Sequence, residues 1–281
     1  MKIGVIGNGF VGKTMTNIDC EDIQVLSYDT NPLFCFPTEN VKIEDLLVCE
    51  IIFISVPTPM NKDGSCYTKI ITIVLNQLRE LNYNGFIVLR STVPVGTSDE
   101  LNVYFMPEFL TEKNFLEDFK QNKNWFFGLL GKEKDMLFKM TINELFYLAV
   151  KNGKVLYNNI HFISNKEAEM IKMFRNCYLS VKVSFCNEIN EFCTLKQIDY
   201  DKVRTFACID DRIGLSHTSV PGHDGLYGFG GTCFPKDTSS LLYEMDKTGM
   251  QSYVLKSAVE RNNTKDRPEK DWALDKGRAV V

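Results

Sequence analysis

The chain has 281 residues, of which 44% are hydrophobic and 24% charged, and a formal net charge of -4. That length suits two modest domains, and the composition is that of an ordinary globular protein. The small negative charge and the lack of a basic tract argue against broad nucleic-acid binding, and no apolar run approaches membrane-spanning length.

Met1-Lys-Ile-Gly-Val-Ile-Gly7 reads as a buried strand, Lys2–Ile6, and not as a signal peptide. Gly7-Asn-Gly9-Phe10-Val11-Gly12 follows it and opens a helix. In such a pattern Gly7 permits a tight turn, Gly9 lets backbone approach a pyrophosphate, and Gly12 allows close helix–strand packing. The helix N-terminus then faces the phosphate charge. The short connection leaves this helix about two turns. The next strand, Gln24–Tyr28, ends before Asp29, which lies 17 residues after Gly12. A carboxylate there can accept hydrogen bonds from both ribose hydroxyls and would repel a 2′-phosphate, which favours NAD over NADP. The bland alternative is an ordinary turn with a capping Asp. Further strands are predicted at Ile51–Val56, Phe86–Arg90, Asn102–Met106 and Trp125–Leu130, with a clear helix over Thr72–Leu81. This rhythm predicts an α/β, Rossmann-like, doubly wound parallel sheet over residues 1–163.

Lys166–Leu195 has a different period. Ile171, Phe174, Tyr178, Val181, Phe185, Ile189 and Phe192 recur every three or four residues, which predicts one long amphipathic helix. The domain boundary falls just before it, at the cap-like Ser164-Asn165, so that residues 164–281 form a second, helical domain. Lys172 and Asn176 are an i, i+4 pair off the apolar stripe. Their ammonium and amide N–H would suit a developing alkoxide, although periodicity alone favours an ordinary solvated face. Asp211–Gly231 reads as a loop, and a helix follows from about Pro235. The tail from Asn262, with Lys265-Asp-Arg-Pro-Glu-Lys-Asp271, is highly charged and expected to be exposed.

The most chemically suggestive segment is Gly228-Phe-Gly-Gly-Thr-Cys-Phe-Pro-Lys-Asp237. Proline favours the first helical turn, so Cys233 is expected at or beside an N-cap. The positive helix end and Lys236 would favour its thiolate, and Asp237 returns to the same face one turn later. Most lone cysteines are buried and inert, and the other eight are read as reduced small hydrophobes of a cytoplasmic protein. Neither they nor His161, His217 and His223 show a metal-ligand spacing, and no metal is expected. Ser91-Thr-Val-Pro-Val-Gly-Thr97 and Met106-Pro-Glu-Phe-Leu-Thr-Glu112 follow strands, at the end where open α/β sheets bind ligands. Their acids, Glu108 and Glu112, could equally be loop carboxylates or caps.

In sequence order, Gly7–Gly12, Ser55-Val-Pro-Thr-Pro59, Ser91–Thr97, Pro107-Glu-Phe-Leu110, Glu167-Ala-Glu-x-x-Lys172-x-x-x-Asn176, Asp211-Arg-Ile-Gly214 and Gly228–Asp237 resemble the UDP-glucose/GDP-mannose dehydrogenase family, nearest to its UDP-glucose 6-dehydrogenases. The resemblance spans nearly the whole chain. It implies NAD-dependent, four-electron oxidation of a nucleotide sugar's C6 alcohol to a carboxylate, UDP-glucose first, with GDP-mannose or a UDP-N-acetylhexosamine as alternatives. A non-catalytic NAD-binding and dimerisation module is the reading from another class. The resemblance makes Cys233 the nucleophile of a thiohemiacetal and thioester, Lys172 and Asn176 the oxyanion donors, and Glu108 the general acid/base. Thr92 and Asp237 would position a water. Thr58, Thr92, Glu112 and Lys236 are implied cofactor contacts. Glu108, Phe109, Leu110, Lys172, Asn176, Tyr227 and Gly230 are implied substrate contacts, and Arg212 would reach the substrate of a second subunit in a homodimer built on the 166–195 helix. Two departures stand out: Met106 replaces the family's usual asparagine, and the chain stops soon after Trp272, where members usually continue into a nucleotide-gripping third domain.

Overall fold

The computed structural model describes all 281 residues. They divide into two compact units, Met1–Thr58 with Thr68–Lys172, and Pro59–Tyr67 with Met173–Val281.

The first unit is built on a seven-stranded sheet: β1 (Lys2–Ile6), β2 (Gln24–Tyr28), β3 (Ile51–Ile54), β4 (Phe86–Leu89), β5 (Tyr104–Phe105), β6 (Asn124–Leu129) and β7 (Asn159–Ser164). The spatial order is β2-β1-β3-β4-β5-β6-β7. The first five strands are mutually parallel, β6 runs antiparallel to β5, and β7 is parallel to β6. This is the expected Rossmann-like, doubly wound arrangement with one reversed pairing. In β3 every residue is buried, and alternation explains the unbroken apolar run. Ile51 and Phe53 enter one core with Met15, Phe138, Ile142 and Phe146. Ile52 and Ile54 enter the other with Ile71, Leu75 and Leu78. Each fully buried side chain of this kind contributes about 1.5–3 kcal/mol.

Helices α1 (Phe10–Thr16), α2 (Lys69–Glu80), α3 (Thr97–Leu101), α4 (Phe115–Lys120) and α5 (Asp135–Lys151) complete this unit. The expected strands at Ile51–Val56, Phe86–Arg90, Asn102–Met106 and Trp125–Leu130 are trimmed or shifted by one or a few residues, because the chain leaves the sheet to form the loops that matter below. Sequence pattern did not signal α5. It buries Phe138, Ile142, Leu145, Phe146 and Ala149 at helical spacing, but Met136, Leu137, Met140 and Tyr147 stand exposed on its other side. That blurs the polar contrast on which periodicity depends. β7 was missed too: it is an edge strand with no fully buried residue.

Helix α6 (Asn165–Leu195) starts in the first unit and continues through the second. Its start is a capping box: the Ser164 hydroxyl accepts from Glu167 N at 3.3 Å, and the Glu167 carboxylate accepts from Ser164 N at 2.8 Å. Its aromatic stripe is not buried within the chain. Phe174, Tyr178, Phe185 and Phe192 of the apolar stripe are exposed, Phe174 by 62%. The buried side carries Glu169, Lys172, Asn176, Ser180, Ser184 and Asn187, so the solvated-face alternative for Lys172 and Asn176 is overturned.

The second unit adds α7 (Tyr200–Ala207), α8 (Phe234–Lys247) and α9 (Val254–Arg261). Asp211–Gly231 forms no helix or strand, as expected. The charged tail is not simply exposed. Asn262, Arg267, Trp272 and Ala279 are buried, and the chain end pairs with the 59–67 segment through Met60 N to Ala279 O, 2.9 Å, and Val281 N to Met60 O, 3.1 Å.

Candidate functional site

In the first unit the glycine turn lies at the carboxyl end of β1, where the strand order reverses between β2 and β3. Gly7 has φ of +85°, and its N–H donates to Tyr28 O at 3.0 Å. A Cβ on Gly12 would stand 1.9 Å from Gly7 O, so only glycine lets α1 start this close to the strand. A Cβ on Gly9 would meet nothing within 4 Å, which leaves open space above the turn. Asp29 follows β2, and its carboxylate accepts from Asn8 N at 2.7 Å and Asn31 N at 2.9 Å. These bonds hold it beside the turn with lone pairs to spare. Phe10 is exposed and Val11 partly so. The open face at Gly9, the acid on the neighbouring strand end and the absence of a crowding side chain fit a bound dinucleotide.

Arg90, at the end of β4, is wholly buried. Its Nη1 donates to Val11 O at 3.1 Å and Thr14 Oγ1 at 2.9 Å, fastening α1 from below. Burial pushes this guanidinium down to about 10, and the charge of Glu108 works against that fall. The Ser91–Thr97 loop is held from α6, because Glu169 accepts from Gly96 N at 2.5 Å and Ser98 N at 2.8 Å. Burial raises the Glu169 carboxyl despite those two donors. Thr58 Oγ1 donates to Thr92 O at 2.8 Å, bringing those two expected residues together.

Glu108 follows β5 and is buried with Lys172. The Lys172 ammonium donates to Glu108 Oε1 at 2.5 Å and to Glu108 O at 2.9 Å, and Leu110 N donates to Oε2 at 2.8 Å. Burial alone would raise the Glu108 carboxyl, but Lys172, the Leu110 N–H and Arg90 together hold it below its ordinary value. Glu108 is therefore a carboxylate at neutral pH, a group able to take a proton. Phe109 and Leu110 are half-buried beside it, whereas Glu112 is exposed. A surface hollow of about 360 Å³ in this unit spans Met1, Lys2, Asp22 and Glu50, at the amino end of β1, the wrong end of the sheet for a ligand.

In the second unit, Cys233 is the N-cap of α8, with Pro235 in the first turn. Its carbonyl accepts Asp237 N at 2.9 Å, and Thr232 Oγ1 lies 3.7 Å from its sulfur. Asp237 is fully buried. Lys236 Nζ donates to its Oδ1 at 2.6 Å and Asn176 Nδ2 to its Oδ2 at 2.6 Å. Burial alone would lower the Lys236 ammonium, but Asp237 and the thiols of Cys66 and Cys233 hold it above an ordinary lysine. It is a positive charge at neutral pH that interacts electrostatically with Cys233. Cys177, one residue beyond Asn176, is the contrasting case: burial, helped by Asp237, pushes its thiol up to about 12. That thiol is chemically quiet. Gly230 is half-buried and Tyr227 is 52% exposed. Arg212 is exposed and paired with Asp210 on its own turn. Sequence reasoning gave Arg90, Glu169 and Cys66 no role, although Glu169 lies within the Glu167–Asn176 motif; they gain meaning only from what folds against them. No group of His, Cys, Asp and Glu gathers to hold a metal, and no helix is long and apolar enough to cross a membrane.

Residues 36–147 match the family model for the NAD binding domain of the UDP-glucose/GDP-mannose dehydrogenase family, and residues 166–264 match that for its central domain. A UDP-glucose 6-dehydrogenase of Pseudomonas aeruginosa is 30% identical over 237 residues, which cover 78% of this chain and 49% of that protein. One from Bacillus subtilis is 28% identical over 319 residues, covering 98% of this chain and 69% of the relative. The chain thus spans about half the length of the first relative and about two thirds of the second. A solved UDP-glucose dehydrogenase from the hyperthermophilic archaeon Pyrobaculum islandicum superposes with a TM-score of 0.78 at 24% identity, over 94% of this chain and 68% of that one. Glycine turn, strand-end acid, fold and both family models agree: the chain belongs to the UDP-glucose/GDP-mannose dehydrogenase family and carries its NAD-binding domain.

Proposed function

We propose that this chain oxidises the C6 alcohol of UDP-glucose to a carboxylate, in two oxidations linked by a covalent adduct on Cys233. The observation that carries this reading is the half-exposed Cys233 thiol at the start of α8, beside the buried Lys236–Asp237–Asn176 network. A binding module has no use for such an arrangement. When bound, NAD supplies the hydride acceptor for both oxidations. Its proposed contacts are Gly7, Gly9, Phe10, Val11, Gly12, Asp29, Thr58, Thr92, Glu112 and Lys236.

The first oxidation removes a hydride from C6, releases the hydroxyl proton to water and leaves an aldehyde. The Cys233 thiolate adds to that carbon, forming a C–S bond and a tetrahedral alkoxide, with Lys172 and Asn176 donating to the oxygen. This adduct has a hydride to lose, whereas a free aldehyde has no such alkoxide to drive its departure. Loss of the second hydride leaves a thioester on Cys233. Glu108 then takes a proton from a water positioned by Thr92 and Asp237. The water's oxygen bonds to the acyl carbon, the C–S bond breaks, and the thiolate and the sugar acid are released. Phe109, Leu110, Tyr227 and Gly230 line the substrate on this reading, and Arg212 serves a second copy of the chain. That copy covers the exposed aromatic row Phe174, Tyr178, Phe185 and Phe192 of α6, a patch of the kind that marks an interface.

The test counts NADH formed per sugar consumed over a panel of nucleotide sugars. Two NADH per UDP-glucose, lost in Cys233→Ala, is the expected result. One NADH per sugar would remove the thioester step. Preference for GDP-mannose or a UDP-N-acetylhexosamine would reassign the substrate, and NAD binding without turnover of any sugar would leave only the module.

A further inference from the structure

We infer that Arg267 and Asn262, from the charged tail, are positioning residues for the Asp224–Gly231 loop, which carries Tyr227 and leads into Cys233 two residues beyond its end. The inference rests on the proposed roles of that loop and thiol. Asn262 is fully buried and bonds both backbone groups of one residue: its Oδ1 accepts Phe229 N at 2.7 Å and its Nδ2 donates to Phe229 O at 3.0 Å. A Cβ on Gly228 would come within 2.3 Å of Asn262 Oδ1. Asn187 of α6 takes the preceding amide, accepting from Gly228 N at 3.1 Å.

Arg267 holds the next residues. It is 2% exposed, and the face of its guanidinium lies against Gly230, where an added Cβ would stand 2.4 Å from Cζ. Three bonds fix that plane: Nε to Asp271 Oδ1 at 2.7 Å, Nη2 to Asp271 Oδ2 at 2.8 Å, and Nη2 to Asp224 Oδ2 at 2.7 Å. Asp224 belongs to the loop itself, where its carboxylate also accepts Leu226 N at 3.1 Å. The two residues act as one device, because a π-helical turn over Asn262–Asp266 closes with Arg267 N donating to Asn262 O at 2.8 Å. The glycines therefore have a second purpose besides their backbone freedom. They leave bare backbone that the Asn262 carboxamide oxygen can approach closely and against which the Arg267 guanidinium can lie. Only arginine supplies a planar fork that bridges two carboxylates and stacks at once.

The loop between these clamps carries Tyr227 into solvent, and the chain reaches Cys233 three residues beyond Gly230. Its shape then sets sugar binding and thiol presentation, while the dinucleotide turn in the other unit has no part in it. Arg267→Lys keeps the charge and loses the plane. Asp224→Asn keeps the plane and weakens one tie at a half-exposed position, so it folds even where Arg267→Lys does not.

Both variants are expected to raise the KM for UDP-glucose by about tenfold or more, with the KM for NAD within about twofold of the parent. Hydrogen exchange at the Gly228 and Phe229 amides should accelerate by about tenfold or more, while the β3 amides stay protected. The rate of Cys233 alkylation by iodoacetamide should change with it. Unchanged exchange at these amides would overturn the inference, as would a fall in kcat with both KM values moving together, which marks a merely structural role. If the parent oxidises no nucleotide sugar, the functional reading fails separately. Exchange and alkylation then decide: accelerated exchange with an altered alkylation rate upholds the positioning role, and an unaltered alkylation rate refutes it.

Discussion

Replacing Lys172 by methionine would leave the Glu108 carboxylate buried without its main partner. The two side chains are 4% and 8% exposed, so this pair is not a surface ion pair, whose loss would cost about 0–1 kcal/mol. Breaking a buried pair from one side costs about 3–5 kcal/mol. For a unit of this size that lowers the melting temperature by roughly 6–20 °C. The pH dependence follows from the direction of the shift. In the parent, Glu108 is held below its ordinary value, so its stabilisation is fully present above the unfolded carboxyl pKa and is lost as pH falls through the folded one. In Lys172→Met the burial effect loses its main opposition. Protonation then relieves the strain, and the gap between parent and variant narrows as pH falls from about 7 to 5. The assay is urea unfolding followed by Trp125, buried in the first unit, in a Trp272→Phe background. The double variant Glu108→Gln with Lys172→Met should recover most of the loss. A loss below about 1 kcal/mol, a gap that widens on acidification, or a double variant no better than the single would refute the reasoning.

Other consequences can be checked with less effort. Gly12→Ala drives a methyl into Gly7 O, so NAD affinity should fall by at least about tenfold, with about 1–3 kcal/mol of destabilisation, measured by calorimetry and urea melts; parental affinity would show that the turn yields. Asp29→Ser should raise kcat/KM for NADP relative to NAD, and equal use of NADP by the parent would remove Asp29 as the selector. Phe185→Asp, on the exposed row of α6, should convert a dimer to a monomer in light scattering, whereas a monomeric parent would defeat the proposed interface. Ser164→Ala removes one side of the α6 capping box and should cost about 0.5–2 kcal/mol in thermal or urea unfolding, and no loss would mean that Glu167 carries the cap alone.

Much of this protein was legible from local pattern. A strand such as Ile51–Ile54, with apolar residues entering two cores, leaves an unbroken run that no other element explains so well. The glycine turn, the short α1, the long α6 with its Ser164 cap, and Cys233 ahead of a proline-started helix are likewise set by neighbours within a few residues, where steric and hydrogen-bond rules act directly. The motif order pointed to the family by itself. What sequence could not set is which face of an element turns inward. On α6 the aromatic stripe stays exposed while Glu169, Lys172 and Asn176 are buried beside Ala168, Met173 and Cys177, because Glu108, Asp237 and the Gly96–Ser98 amides arrive from distant parts of the chain to satisfy those polar groups. The charged tail misled for the same reason. Arg267 reads as a solvated charge until Asp224 and Asp271 close on it and Gly230 packs against its face. Periodicity ranks residues by their own affinity for water, and a polar group can be buried only when partners remove that cost. Those partners lie 61 residues away for Asn176 and 64 for Lys172, so only the tertiary structure could decide that these polar groups face inward.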